Sequence, residues 1–174
     1  MFKKLNIMKL FFEEPNRDFN VREAARLLKI APATASKELK SLAGLGLLKE
    51  RKERILNLYK ANLENDFYQD LKIYYNIRKV KGAGLIDALN KFYLRPTIVM
   101  FGSCTSGLDT ETSDFDLLII SEKTKEFPDI HKFDNKLNRK LQLFVVKDIR
   151  DLKNEHLINN ILNGITIQGK IKWI

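Results

Sequence analysis

Apolar positions in the opening residues recur with a helical period. Phe2, Leu5, Ile7, Met8, Phe11 and Phe12 fall roughly on one face of a helix over 2–12, with lysines between them. Asn16 to Asn20 read as a turn leading into a short extended piece. Residues 21–29 predict a second helix with Val21, Ala24, Ala25 and Leu28 inward. After a tight turn at Ile30 and Ala31, Pro32 suits the first position of a third helix, where its missing N–H costs nothing. That helix buries Ala35, Leu39 and Leu42 and is expected to stop at Gly44. Residues 47–61 then hold two strand-like runs around the charged tip ERKER, a hairpin with a basic turn.

Beyond this hairpin the pattern changes. Leu63, Phe67, Leu71, Tyr74, Tyr75 and Ile77 lie near helical spacing and predict a linking helix over 62–81, broken by Lys81-Gly82-Ala83-Gly84. A helix over 85–93 stops before Pro96. Buried-strand runs follow at 97–101, 116–120 and 140–146, with helices over 130–138 and 148–164, the latter in one piece or two. The closing ITIQGKIKWI reads as a short strand or extended tail. Strands alternating with helices make this half an α/β layer with a small mixed sheet. The expected class is α+β, divided into domains at 1–61 and 85–174 with a linker over 62–84.

Charge sharpens the division. The formal net charge is +9, and residues 1–60 carry 14 Lys and Arg against seven Asp and Glu, while residues 61–174 carry 17 against 15. The basic first third points to a polyanion partner or to a lysine-rich solvated surface. No apolar run approaches the ~20 residues that cross a bilayer. The N-terminus, with Glu13-Glu14-Pro15 close behind its lysines, reads as an amphipathic helix rather than a signal peptide. Cys104 is the only cysteine, so an intrachain disulfide is excluded and a reducing cytoplasm is the default location.

Helix, helix, tight turn, helix and basic hairpin form a winged helix-turn-helix pattern. The segment NVREAARLLKIAPATASKELKSLAGLGLLKER resembles the DNA-binding domains of small winged-helix transcription regulators, over about residues 1–61. On the third helix, opposite its buried stripe, lie Ala33, Lys37 and Lys40, flanked by Thr34, Ser36 and Ser41. Small and hydroxylated side chains admit a close backbone, and lysines meet phosphate or guanine in the major groove. Lys49, Arg51, Lys52 and Arg54 lie on the wing, where they would reach flanking phosphates or the minor groove of double-stranded DNA. The other reading of the same face is the solvated surface of a winged helix that binds protein. By analogy with winged-helix proteins, a homodimer is expected.

The richest stretch is FGSCTSGLDTETSDFDLLII, residues 101–120. A strand runs into Gly102-Ser103, a ten-residue spacer follows, and Asp114-Phe115-Asp116 opens the next strand. Strand alternation sends residues 114 and 116 to one face. Two neighbouring carboxylates repel strongly unless a cation sits between them, and hard oxygen ligands without His or Cys suit Mg²⁺ shared with phosphates. Gly102 admits a phosphate close to the backbone, and Ser103 can donate to it.

This stretch resembles the DNA polymerase beta-type nucleotidyltransferase superfamily in its minimal stand-alone form, over about residues 85–168. The resemblance implies that Gly102 and Ser103 bind a nucleoside triphosphate and that Asp114 and Asp116 are catalytic residues holding Mg²⁺. It also implies a third carboxylate on a later strand. That strand is KLQLFVV, and the position facing the site is Gln142, which is no base and a weaker Mg²⁺ ligand. Asp109, Glu111 and Asp148 are the other acids near enough in sequence to substitute. Asp109 and Glu111 are expected to be solvated loop residues and Asp148 a helix N-cap.

Other residues carry weaker signals. Cys104 reads as a small buried loop residue, and His131 and His156 as surface or packing residues. Lys123, Lys125, Lys132, Lys136, Arg139 and Lys140 read mostly as solvated charges. Tyr74 and Tyr75 suggest helix packing or a dimer seam. Three functions remain: a DNA-binding regulator whose nucleotidyltransferase-fold domain grips nucleotide-Mg²⁺ with weak or no transfer, an active transferase moving a nucleoside monophosphate to a protein, RNA or small-molecule hydroxyl, and an antitoxin-like partner-binding module. The first is the expectation.

Overall fold

The computed structural model describes the backbone of residues 2–172 and the side chains of residues 6–172. The side chains of Phe2 and Leu5, assigned above to an apolar helix face, lie outside the described residues, as do Trp173 and Ile174. The described residues form a mixed α and β structure with seven α-helices and two small sheets. They divide into two compact units, Met1–Lys72 and Ile73–Ile174.

In the first unit, α1 (Phe2–Glu13), α2 (Val21–Leu28) and α3 (Pro32–Gly44) pack with a three-stranded antiparallel sheet. Its strands are β1 (Phe19–Asn20), β2 (Leu48–Glu53) and β3 (Leu56–Ala61), in the order β1-β3-β2. Local chemistry sets the boundaries. The Asn20 side chain accepts from the Glu23 N–H at 2.9 Å and caps α2, and Lys29 ends that helix in the left-handed region at φ 54°. Pro32 opens α3. The helix ends at Gly44, as expected, and the chain reverses at Gly46, whose φ is 75°. The core gathers Met8, Phe11, Phe12, Phe19, Ala35, Leu39, Leu42 and Tyr59, all buried. Phe11 and Phe19 meet edge to face at 5.3 Å between centroids.

The hairpin turn is shifted from expectation. The charged run ERKE lies on β2 itself, and the reversal falls at Arg54 and Ile55, with Arg54 at φ 53°. The linking helix, α4 (Asp66–Gly82), begins later than its apolar spacing suggested, because the Asn65 side chain accepts from the Tyr68 N–H at 2.8 Å. Its buried positions are Tyr68, Lys72, Asn76 and Val80, while Phe67 and Tyr74 are exposed.

The second unit is built on a four-stranded mixed sheet of β4 (Thr97–Phe101), β5 (Phe115–Ile120), β6 (Leu141–Val146) and β7 (Ile165–Gln168), in the order β6-β5-β4-β7. β5 and β6 are parallel, joined through α6 (Ile130–Leu137); the other pairs are antiparallel. Period-two alternation divides the apolar residues between two faces. Ile98, Met100, Phe115, Leu117 and Ile119 pack with Leu85, Leu89 and Tyr93 of α5 (Leu85–Tyr93) and with Phe133 and Leu137 of α6. Val99, Phe101 and Leu118 pack on the other side with Ile161 of α7 (Glu155–Leu162) and Ile149. The segment expected as one or two helices over 148–164 is thus a 3-10 turn at Ile149–Asp151 followed by α7.

One glycine joins this layer to the sheet end that matters below. A Cβ on Gly164, between α7 and β7, would lie 2.6 Å from the Met100 carbonyl oxygen and 3.0 Å from Phe101 Cβ. Both neighbours belong to the end of β4, where the chain enters Gly102. Gly164→Ala is expected to destabilise the second unit by about 1–3 kcal/mol through overpacking, read as a lower urea midpoint.

Candidate functional site

The ends of β4, β5 and β6 meet at one edge of the sheet. Phe101 pairs with Asp116, and Asp116 pairs with Gln142, so all three share one face of the sheet. Asp114 lies just before β5, and the loop over 102–114 connects the two antiparallel strands.

Gly102 opens this loop with φ 76°, and residues 102–105 form a 3-10 turn. A Cβ there would lie 2.6 Å from Asp116 Oδ2, so only glycine allows the carboxylate to stand over the backbone. The Thr105 hydroxyl donates to the Gly102 carbonyl at 2.7 Å, and the Ser106 hydroxyl to that of Ser103 at 3.0 Å. Ser103 is exposed, while Asp114 and Asp116 are half-buried. Burial, and then the charge of Asp114, hold the Asp116 carboxyl above the ordinary carboxylate range.

The third position is occupied by an amide. Gln142 Nε2 donates to Asp114 Oδ2 in a close hydrogen bond. An amide nitrogen offers a donor where a carboxylate would add a third negative charge. The other candidate acids take no place there. Asp109, expected to be a solvated loop acid, is fully buried and pairs with Arg139 at 2.7 Å, which corrects both expectations, since Arg139 is buried as well. Glu111 is exposed. Asp148 caps the 3-10 turn, and its carboxyl is lowered to about 2 by hydrogen bonds from Arg150.

Asn76, Arg139 and Cys104 form a support that sequence reasoning missed. Asn76 Nδ2 donates to Asp109 Oδ1 at 2.8 Å and to the Cys104 carbonyl at 3.1 Å. The buried Cys104 Sγ donates to the Asp114 carbonyl at 3.3 Å. Asn76 does sit on the buried i, i+4 line of α4, but that line emerges only once the helix is phased from Tyr68.

The remaining candidates disperse. His131 is exposed beside Asp134 at 3.3 Å, and His156 is exposed. Lys123, expected to be mostly solvated, sits over the Phe92 ring at 3.3 Å and donates to the Phe92 carbonyl. In the first unit, Thr34, Lys37 and Lys40 are exposed on α3 and Ser36 is half-buried. On the hairpin, Lys49, Arg51, Lys52 and Arg54 are exposed, but Lys49 pairs with Glu64 at 2.8 Å and Arg51 with Asp18 and Glu53 at 3.0 and 2.7 Å. Among the described residues, Lys37, Lys40, Lys52 and Arg54 make no ion pair.

A mixed sheet that brings a glycine turn and two acids to one strand edge is an arrangement suited to nucleotide phosphates. Residues 83–166 match the family model of the nucleotidyltransferase domain. The second unit therefore carries a nucleotidyltransferase domain over those residues. Among curated proteins, the chain has no match. No helix among the described residues is long and apolar enough to cross a membrane.

The residues fit a hard cation only in part. Two carboxylates stand together, and the ionised form of Asp116 is disfavoured in a way that a cation would relieve. No cluster of three or more His, Cys, Asp or Glu suited to a metal occurs among the described residues. That donor set matches Mg²⁺ completed by water and substrate phosphates rather than a closed protein cage.

The raised Asp116 carboxyl has a measurable signature. Asp114→Asn removes the repelling charge and should lower the Asp116 titration toward the ordinary carboxylate value, read from its carboxyl carbon shift against pH. In the unaltered protein the native state holds this proton more tightly than the unfolded chain. The group's contribution to stability therefore grows as pH falls through the native value.

Proposed function

We propose that this chain joins a winged-helix domain that binds duplex DNA to a nucleotidyltransferase domain that grips a magnesium–nucleoside triphosphate with weak or no transfer. In this reading Gly102 and Ser103 receive the triphosphate, and Asp114 and Asp116 hold Mg²⁺. Bound there, the ion would neutralise phosphate charge and polarise the phosphorus–oxygen bonds. Gly102 lets the phosphates approach the backbone beside Asp116. Ser103 offers an exposed hydroxyl and its N–H. The observation that carries the reading is the Gln142 amide donating to Asp114. It orients one carboxylate and supplies no base to take a proton from an acceptor hydroxyl.

What supports the DNA-binding half is the order β1-β3-β2 packed with three helices, with Thr34, Lys37 and Lys40 exposed on the third. Phosphate contact is assigned first to Lys37, Lys40, Lys52 and Arg54. Lys49 and Arg51 are already engaged with acids and must exchange those exposed, weakly held pairs for phosphate.

Calorimetry tests the first half. Asp114→Asn with Asp116→Asn should abolish Mg²⁺-dependent binding of ATP or GTP, and unchanged binding would remove the site assignment. With nucleotide labelled at the α-phosphate, Gln142→Glu should transfer label to cell-extract acceptors faster than the unaltered chain. Rapid transfer by the unaltered chain would instead establish an active transferase.

Duplex titrations test the second half. Lys37→Ala with Arg54→Ala should weaken binding and reduce the slope of log affinity against log salt by about two. No duplex affinity at low salt defeats it.

A further inference from the structure

The loop over 102–114 carries every group assigned to phosphate and metal except Asp116, yet it has no regular structure beyond its opening turn. A loop of that length does not hold a backbone glycine and a carboxylate in register by itself. Beside Asn76, it is anchored by a side chain reaching in from the turn between α6 and β6. Arg139 Nη1 pairs with Asp109 Oδ2 at 2.7 Å, with only 6% of the arginine side chain and 0% of the aspartate exposed. Its Nη2 donates to the Thr110 carbonyl in a close contact, and Nη1 lies 3.8 Å from Cys104 Sγ. The guanidinium carbon sits 4.9 Å from the centre of the Phe115 ring, the residue between the two acids.

We propose that Arg139 is a positioning residue for the nucleotide site. By clamping Asp109 and the Thr110 carbonyl, it holds the loop so that Gly102, Ser103 and Asp114 stand together before nucleotide arrives. This rests on the nucleotide reading above. The planar fork is what the task requires. One guanidinium spans a carboxylate and a carbonyl on consecutive residues and still stacks on Phe115. A lysine ammonium can keep the charge pair but cannot present the same flat, two-armed donor set. The chain of contacts continues to the ligands. Arg139 touches Cys104, and Cys104 holds the Asp114 carbonyl. Preorganisation of this kind spares a ligand the ordering of the loop.

Cys104 also reports on the clamp. It is the only cysteine of the chain, it is buried, and it lies inside the loop, so a thiol reagent reaches it only when the loop opens. The test uses the full chain and Arg139→Lys, which keeps a cation beside the buried Asp109 and so avoids an unpaired charge. Three quantities are read: the thermal midpoint, the labelling rate of Cys104 without nucleotide, and the affinity for Mg²⁺-ATP by calorimetry.

The expected result is a labelling rate raised by about tenfold or more and a Mg²⁺-ATP affinity lowered by a similar factor, with a midpoint that moves by only a few degrees. Arg139→Gln, if it folds, should exceed Arg139→Lys in both readouts. An unchanged labelling rate in Arg139→Lys overturns the clamp whatever nucleotide does. Faster labelling with unaltered Mg²⁺-ATP affinity overturns the positioning role while the nucleotide reading stands. If the unaltered chain itself binds no Mg²⁺-ATP, the nucleotide reading falls and the positioning role with it.

Discussion

Two like charges placed one residue apart at a half-buried strand end are the constraint around which the second unit is arranged. Asp116 is fixed on β5, an inner strand paired on both sides, and Asp114 just before it is held through its carbonyl by Cys104. The surrounding sequence answers this repulsion with donors and space. The Gln142 amide takes one oxygen of Asp114, and the absent side chain of Gly102 leaves room over Asp116. What is left is a raised Asp116 carboxyl, the result of burial and of the Asp114 charge. The parallel pairing of β5 with β6 is essential to this balance, since it sets Gln142 directly beside Asp116.

Much of this was legible in the sequence, and the reason is periodicity. The runs at 97–101, 116–120 and 140–146 are short, apolar and bounded by breakers, and the strands lie at Thr97–Phe101, Phe115–Ile120 and Leu141–Val146. The place of Gln142 opposite the acids followed from the family resemblance, which called for a later strand there, together with the alternation of that strand. Boundaries were less legible where a side chain rather than hydropathy sets them. Asn65 delays α4 beyond its apolar spacing.

Buried polar groups were not legible. Asp109 and Arg139 look like ordinary loop and surface charges because hydropathy scores a residue's type and not its partner. Only the fold brings positions 30 residues apart within 2.7 Å. The same blindness hid Asn76, whose two donated hydrogen bonds replace the water it loses on burial. On the basic hairpin the failure ran the other way. Charges that looked equally available in the sequence divide into those spent on Asp18, Glu53 and Glu64 and those that make no ion pair among the described residues.

The loop over 102–114 is tied down at Cys104 and again at Asp109 and Thr110, but Leu108, Glu111 and Thr112 stand out into solvent. Its fixed and free parts therefore differ in how much a substitution disturbs the fold. The tethered residues are bound to the fold, so most changes there carry a folding penalty. The exposed ones can drift, lengthen or acquire new chemistry at little expense to the scaffold. A lineage could in this way alter what the edge of the site encounters while inheriting its grip unchanged.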